Sequence, residues 1–219
     1  MKELKERELE KLAEEKGYNL DYLTCGSPIF QVKKLYTFTS DSISLAHAVK
    51  EKKIKSLVDL CSGSGVVGME VAGNNEVEEL TLVELQKELA DASSLSAELF
   101  TKHTKVNVIN KNLNDLGEDI KNMSADVVVC NPPYFKSGSG ETPDNFSRAV
   151  ARHELTTTLE DIVKVANRVL VHGGKFYMIH LFSREKEIEK TLTENGFVVE
   201  LKTLLEGKLK RMIFISKKN

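Results

Sequence analysis

Strand-like and helix-like segments alternate along most of this 219-residue chain. From Lys55 onward, short β-branched runs are each followed by a stretch in which apolar residues recur at helical spacing. Such alternation is typical of a parallel sheet with helices packed on both faces. The predicted strands cover 56–60, 80–84, 106–109, 126–130 and 175–179, and the predicted helices begin near 66, 87, 158 and 183.

Two further predicted strands, 197–201 and 212–215, close the pattern. The segment that joins them is too short for a crossover helix, so this pair is predicted to be antiparallel. The predicted fold class is therefore α/β and Rossmann-like. It has a central, mostly parallel seven-stranded sheet with an antiparallel C-terminal hairpin and helices on both faces.

The chain is predicted to form a single domain, with an N-terminal extension at 1–52 and a Rossmann-like core at 53–219. Residues 2–16 have the charge pattern of a solvated helix with a narrow apolar stripe at Leu9, Leu12 and Ala13. One or two small strands are expected next. Ser40 or Asp41 is expected to cap a helix from about Ile43 to Lys50.

A buried strand followed by an abrupt stop stands at residues 126–135, which read Asp-Val-Val-Val-Cys-Asn-Pro-Pro-Tyr-Phe. Prolines cannot continue a strand, so residues 131–134, which we call the amide turn, are predicted at its carboxyl end, where ligands bind in open α/β sheets. Asn131 can donate and accept hydrogen bonds, and Tyr134 offers a flat face for stacking. These residues suit a planar substrate with an amino group. The alternative is a rigid turn that merely ends a strand.

Residues 59–68 read Asp-Leu-Cys-Ser-Gly-Ser-Gly-Val-Val-Gly and join the first core strand to the first core helix. We call residues 61–65 the glycine loop, because glycines permit a tight turn and a close approach of backbone amides to a ligand. The helix N-terminus behind the loop favours negative charge. Glu84 ends the next strand, 21 positions after Gly63, where a carboxylate can bind the two hydroxyls of a ribose.

The spacing of Gly63, Gly65 and Gly68 also matches the dinucleotide fingerprint of dehydrogenases. Asp59 argues against that reading, because its carboxylate would repel a pyrophosphate but would hold an ammonium group. A ligand that combines ribose, ammonium and carboxylate is S-adenosylmethionine. Together with the amide turn, these residues favour a methyltransferase over a dehydrogenase.

Composition limits the other possibilities. The net charge of −2 and the pI of about 6.3 exclude a generally basic nucleic-acid binder, so any RNA surface must be local. Three scattered cysteines, Cys25, Cys61 and Cys130, predict reduced thiols and no metal site. No apolar stretch approaches the ~20 residues that span a bilayer, and the first residues lack the apolar core of a secretory signal. We expect a cytoplasmic protein without a membrane partner.

With both motifs considered, the chain resembles class I S-adenosylmethionine-dependent methyltransferases of the Asn-Pro-Pro-Tyr group, which modify exocyclic or amide nitrogens. The resemblance covers nearly the whole chain. Flanking segments select one family within this group, since they are similar to the bacterial tRNA1(Val) adenine-37 N6-methyltransferases. These segments are residues 21–23, 29–31, 38–45, 151–154 and 156–159.

The resemblance implies S-adenosylmethionine as cofactor and tRNA as substrate, for a protein that we expect to be a monomer or weak dimer. Implied cofactor-binding residues are Asp59, Cys61, Gly63, Gly65, Glu84, Asn112 and Asn131, and Asn112 stands where an Asp is common. Predicted catalytic residues are Asn131, Pro132, Pro133 and Tyr134. Basic residues near the amide turn and the last hairpin add RNA contacts, so the substrate-binding set is Tyr134, Lys136, Arg152, Lys208, Lys210 and Arg211.

Several alternatives stay open. The Gly/Ser-rich segment 136–141 is either a plain linker or a lid that orders on RNA. A glutamine amide presents much the same NH2 group as adenine N6, so a protein-glutamine methyltransferase, a DNA-adenine methyltransferase or an enzyme acting on an rRNA base remains possible. A non-catalytic RNA-binding protein on a methyltransferase fold is an alternative of another class.

Overall fold

The structure is a computed structural model that describes residues 2–33, 35, 40–134, 157–207 and 209–219, with side chains from residue 6 onward. Within these residues the helices are α1 Lys2–Lys16, α2 Ser40–Ala48, α3 Val66–Asn74, α4 Lys87–Glu98, α5 Leu159–Val169 and α6 Glu185–Glu194. The strands are β1 Tyr18–Tyr22, β2 Pro28–Val32, β3 Lys53–Leu60, β4 Glu76–Glu84, β5 Lys105–Asn110, β6 Ala125–Cys130, β7 Leu170–Leu181, β8 Phe197–Leu205 and β9 Arg211–Lys218. Two 3₁₀ turns lie at Leu113–Asp115 and Phe182–Arg184.

Seven strands form one sheet in the order β5-β4-β3-β6-β7-β9-β8. β3 is parallel to both β4 and β6, β4 is parallel to β5, and β6 is parallel to β7. β9 lies between β7 and β8 and is antiparallel to both. The predicted α/β fold with its antiparallel closing pair is confirmed. The chain reverses its direction across the sheet between β3 and β6, which is where α/β proteins bind ligands.

The core occupies both faces of the sheet, because neighbouring residues of a strand point to opposite sides. On β6, Val128 and Cys130 belong to the cluster that also buries α5 and α6. Val127 and Val129 belong to the cluster that also buries α2 and α3. The strand β6, which is followed by the amide turn, is therefore packed on both of its faces.

The N-terminal extension packs on the core through α1 and the antiparallel pair β1–β2. Ala13, Phe30 and Ala92 form a buried cluster, with Leu9 and Leu12 partly buried against it. This confirms the predicted apolar stripe of the first helix and two small strands. Residues 36–39, which follow these strands, lie outside the described residues.

A buried carboxylate, Glu70 of α3, fixes the neighbouring parts of this extension. The backbone N–H of Thr24 donates to Glu70 Oε2 at 3.1 Å, and the hydroxyl of Thr24 contacts Oε1. His47 Nε2 lies 3.1 Å from Glu70 Oε1, which links α2 to α3. Because His47 and Asp41 belong to one helix, this network also sets the position of the first turn of α2 near the amide turn.

Some element boundaries differ from those expected. The helix α2 begins at Ser40, so Ser40 and Asp41 lie inside its first turn and the prediction that one of them caps a helix starting near Ile43 is wrong. The strand β7 is longer than predicted, because its first residues pair with β6 across a register shift despite containing two glycines. The helix predicted to begin near 158 starts with a capping box, in which Thr158 Oγ1 accepts from Asp161 N and Asp161 Oδ2 accepts from Thr158 N.

Candidate active site

Three strand ends lie level at one edge of the sheet. Leu60 pairs with Val83 of β4 on one side and with Cys130 of β6 on the other. The next residues along these strands are the glycine loop, Glu84 and the amide turn. Residues that are distant in the sequence therefore meet at the carboxyl ends of adjacent parallel strands, as predicted.

The glycine loop is closely packed against β4. Gly65 has a φ of 82°, and a Cβ built on it would lie 2.8 Å from Leu82 Cδ1. A Cβ on Gly68 would lie 2.8 Å from methyl carbons of both Leu80 and Leu82. Cys61 also adopts a left-handed backbone conformation, with a φ of 59°, which is strained for a residue with a side chain. These conformations turn the chain sharply at the start of α3.

Asp59 is completely buried behind this loop. Its Oδ2 accepts a hydrogen bond of 2.8 Å from the backbone N–H of Gly68. Burial raises the pKa of the Asp59 carboxyl to about 8; the Gly68 N–H opposes this rise and the charge of Glu84 adds to it. A buried carboxyl with such a raised pKa gains most from a cationic partner.

Glu84 joins the glycine loop to the segment after β4. Its Oε2 accepts from Gly63 N and its Oε1 accepts from Gln86 N, each at 2.8 Å. Burial raises the pKa of Glu84, and these backbone N–H groups oppose the rise. The carboxylate thus has a fixed orientation, while each of its oxygens keeps lone pairs for a further donor.

Four buried polar atoms around the loop have no hydrogen-bond partner within the described part of the chain. They are Asp59 Oδ1, Ser62 Oγ, Ser64 Oγ and Gln86 Oε1. Leaving such an atom unsatisfied costs about 1–3 kcal/mol, so their concentration here indicates a place for a polar ligand. The serines and Gln86 were not among the predicted site residues, although they alternate with the glycines or follow Glu84 within two positions.

Asn112 lies just beyond β5 and is half-buried. Its Oδ1 accepts from Asn114 N at 2.9 Å and so caps the first 3₁₀ turn. The neighbouring Asn110 uses its Nδ2 to hold the backbone carbonyls of Glu84 and Leu85, each at 2.9 Å. Asn110 therefore supports the end of β4, and the adenine-binding role of Asn112 stays a prediction.

Cys61 and Cys130 adjoin each other at the ends of β3 and β6. Burial raises the pKa of the Cys130 thiol well above its usual value, and the neighbouring Cys61 thiol contributes to the rise. Both cysteines are free. Cys130 belongs to the buried cluster beneath the site, and Cys61 is partly buried against it.

In the amide turn, both ends of the Asn131 carboxamide have protein partners. Nδ2 donates to Ser42 Oγ at 3.2 Å, and Oδ1 accepts from the hydroxyl of Tyr134 at 2.7 Å. Pro132 is buried, and Pro133 and Tyr134 are half-buried. The structure therefore places a tyrosine hydroxyl on the carboxamide oxygen, and Ser42, which was not among the predicted site residues, orients the carboxamide.

Tyr134 is surrounded by side chains from β7, from β9 and from the 3₁₀ turn Phe182–Arg184. Its ring centroid lies 5.5 Å from that of His180, and the guanidinium carbon of Arg211 lies 5.7 Å from it. Arg184 Nη1 donates to the Tyr134 carbonyl at 3.2 Å. Burial, followed by the charge of Arg184, lowers the pKa of His180 to about 3, so its ring is neutral near pH 7. No role was predicted for His180 or Arg184.

The predicted RNA contacts are distributed unevenly. Arg211 lies in the site, where its Nε is 2.6 Å from Asp41 Oδ2. Lys210 is exposed and forms an ion pair of 3.5 Å with Glu206. The other predicted contacts, Lys136, Arg152 and Lys208, lie outside the described residues, as does the Gly/Ser-rich segment.

The described ranges contain neither a metal-binding cluster nor a membrane-spanning helix. No group of three or more His, Cys, Asp or Glu side chains is arranged there to hold a metal ion. No helix in those ranges is long and apolar enough to cross a membrane.

The family model of the methyltransferase small domain matches residues 38–203. The chain belongs to this family. The match includes the glycine loop, Glu84 and the amide turn, so the site described above lies within the shared domain.

Among curated relatives, proteins named tRNA1(Val) (adenine(37)-N6)-methyltransferase recur at 22–26% identity. The one from Shewanella woodyi is 26% identical over 75% of this chain, and the match spans 64% of that relative's length. A release factor glutamine methyltransferase from Fusobacterium nucleatum is 27% identical over 69% of this chain and 44% of its own length. A solved structure of Methanocaldococcus jannaschii Trm5 in complex with adenosine matches with a TM-score of 0.66 and 11% identity, over 93% of this chain and 56% of that one.

Proposed function

We propose that this protein transfers a methyl group from S-adenosylmethionine to the exocyclic N6 of an adenine in tRNA, at position 37 of tRNA1(Val). One observation carries the proposal: the level ends of β3, β4 and β6 bring the glycine loop, the buried acids and the amide turn to one edge. We also propose that residues 1–219 act as one unit, since the first turn of α2 contacts the amide turn.

The polar groups around the glycine loop fit the proposed cofactor. Glu84 can accept from ribose hydroxyls with lone pairs that its backbone partners leave free. Asp59 Oδ1, which is buried and unpartnered within the described chain, can accept from an ammonium group. The N-terminus of α3 favours a carboxylate. The ribose, the ammonium group and the carboxylate of S-adenosylmethionine would thus each have a partner. When bound, this cofactor supplies an electrophilic methyl carbon on its sulfonium.

On the acceptor side, the amide turn would hold the amino group. Asn131 Oδ1 and the Pro132 carbonyl can each accept one N–H of the adenine amino group, which favours a pyramidal nitrogen with its lone pair directed at the methyl carbon. Proton removal before attack is unnecessary, so positioning supplies most of the rate. The neutral His180 beneath Tyr134 adds no charge beside the base.

The choice of tRNA rests on two supports. Curated relatives named for tRNA1(Val) recur, and the flanking segments described above resemble the same family. The relative named release factor glutamine methyltransferase favours a protein substrate as the second candidate, because the NH2 group of a glutamine side chain could donate to the same Asn131 Oδ1. The match covers 44% of that relative's length, compared with 64% for the Shewanella woodyi protein, so a smaller part of that relative has a counterpart in this chain.

A direct assay tests the proposal. Purified protein would be incubated with methyl-labelled cofactor and total tRNA from a strain that lacks this gene, and the label located by nuclease digestion and mass spectrometry. We expect N6-methyladenosine at one tRNA position. Label in a release-factor peptide or an adenine-containing DNA duplex, offered in parallel, and none in tRNA would refute the tRNA assignment.

The variant Asn131→Ala tests the role of the amide turn. We expect kcat to fall by about 10²–10³, the usual loss for a pre-organised hydrogen-bonding group, with cofactor affinity unchanged by calorimetry. Asn19→Ala, at an exposed position on β1, is the matched control and should keep full activity. Near-normal turnover of Asn131→Ala would overturn the mechanism.

A further inference from the structure

A chain of four polar side chains runs from the start of β9 to the amide turn. Arg211 Nε lies 2.6 Å from Asp41 Oδ2, and the same oxygen lies 3.4 Å from the hydroxyl of Tyr134. That hydroxyl donates to Asn131 Oδ1 at 2.7 Å. The contacts join β9, the first turn of α2 and the loop after β6.

The two distances indicate where the tyrosine proton lies. An ionised carboxylate only accepts, and Tyr134 has a single hydroxyl proton to donate. Because 2.7 Å is an ordinary O–H···O distance and 3.4 Å is long, the proton lies on the Asn131 side. Tyr134 thus takes one of the two lone pairs of the carboxamide oxygen to which the proposed function also assigns the substrate's amino group.

Asp41 is placed to take the hydroxyl over. Its side chain is 9% exposed and forms an ion pair with Arg211, which keeps the carboxylate beside the tyrosine. A hydrogen bond from a phenol to a carboxylate is stronger than one to a neutral amide. The Tyr134 hydroxyl can therefore donate to Asp41 instead and leave Asn131 Oδ1 available to the substrate. The O–H of Tyr134 can rotate about its C–O bond while the ring, over which Arg211 lies, stays in place.

We infer that Asp41, held by Arg211, is a positioning residue: it receives the Tyr134 hydroxyl when the substrate's amino group takes Asn131 Oδ1. The inference rests on the proposed function and deepens it. It assigns Arg211 to the alignment of the catalytic turn, in addition to any contact with RNA.

A double-mutant cycle tests this inference with Asp41→Asn, Tyr134→Phe and the pair. Asp41→Asn should lower kcat about tenfold in the wild-type background, with KM for tRNA and cofactor affinity nearly unchanged. In the Tyr134→Phe background, which keeps the ring but has no hydroxyl to hand over, the same change should lower kcat by less than about twofold. Asp91→Asn breaks an exposed ion pair with Lys87 on α4 and serves as the control.

The cycle separates positioning from a purely structural role. Loss of an ion pair would destabilise the fold equally in both backgrounds, which denaturant unfolding measures, whereas the effect on kcat should require the hydroxyl. Equal losses of kcat in both backgrounds, or no loss in the wild type, would overturn the inference. If Asp41→Asn does not fold, Arg211→Lys retains the cation and should give a smaller loss with the same dependence on Tyr134.

The outcome also separates this inference from the proposed function. If Asn131→Ala is inactive but the cycle is additive, only the role of Asp41 fails. If the wild type methylates no tRNA, or Asn131→Ala stays active, the proposed function fails and the inference falls with it.

Discussion

The glycine loop and the amide turn follow adjacent strands, but different contacts hold them. Around the loop, the carboxylates of Asp59 and Glu84 accept hydrogen bonds from the backbone N–H groups of Gly68 and Gly63, respectively. The amide turn is held by side chains from other elements, and its contacts to α2 join residues 89 and 93 positions apart. The loop is therefore held by residues of the paired strands β3 and β4, whereas the turn depends on where α2, β7 and β9 pack.

This difference predicts separable effects. Changes around the glycine loop should act on stability and cofactor affinity. Changes around the amide turn should act on transfer, with cofactor affinity kept. A change around the glycine loop that lowers only the rate of transfer, or a change around the amide turn that lowers only cofactor affinity, would contradict this division.

Around the glycine loop, the largest effect is expected for Glu84→Ala. The change removes the anchor of Gly63 and Gln86 together with the proposed ribose acceptor, so cofactor affinity should fall about 100-fold, or about 3 kcal/mol. Isothermal titration calorimetry with S-adenosylmethionine measures this. The control is Glu79→Ala, at an exposed position of the same strand. An unchanged affinity would remove Glu84 from the cofactor site.

Gly68→Ala should destabilise the protein by about 2 kcal/mol, because the added methyl group would lie 2.8 Å from two buried leucine methyls. Denaturant unfolding with and without cofactor measures the change. Gly207→Ala is the matched control, since a Cβ there meets nothing nearer than 3.9 Å. Equal stability of the two variants would show that α3 can move away from β4 without loss.

Asp59→Asn tests the buried carboxyl through pH. Unfolded Asp59 ionises near pH 3.8, whereas its pKa in the folded protein is about 8. Between these values the folded protein keeps a proton that the unfolded chain releases, so the wild type should lose stability as the pH rises from about 4 to about 8. The variant should lack this loss.

The same variant should bind cofactor about tenfold more weakly near pH 8, about 1.4 kcal/mol, because the ionised carboxylate attracts the ammonium group. Urea unfolding and calorimetry across this pH range provide both measurements. Asp91→Asn, whose side chain is exposed, is the control. Parallel stability curves for Asp59→Asn and wild type would refute the raised pKa.

The smallest effect is expected for Ser42→Ala. Loss of the hydroxyl leaves Asn131 Nδ2 without this acceptor, so the carboxamide can rotate and kcat should fall about threefold, or about 0.7 kcal/mol. Steady-state kinetics measures it, with Ser44→Ala on the same helix as control. A fall in cofactor affinity instead would break the division between loop and turn.

The two regions also differ in how far the sequence predicts them. Spacing alone locates the glycine loop and Glu84, because their contacts lie between residues close in the chain or on paired strands. It also locates the amide turn, since two consecutive prolines cannot continue a central strand. The partners of that turn, Ser42, His180 and Arg184, have no local signal, because their positions follow from packing of α2 and β7 on the sheet. Ser40 and Asp41 were misassigned as caps, since the same residue types suit a first helical turn.

The position of β9 bears on how the protein becomes active during synthesis. Both of its neighbours, β7 and β8, precede it in the chain, yet β9 lies between them and begins with Arg211. A nascent chain that has made the other strands of this sheet still has a gap in it, and Arg211 has not yet reached Asp41. The same folding step therefore completes the sheet and forms the Arg211–Asp41 ion pair.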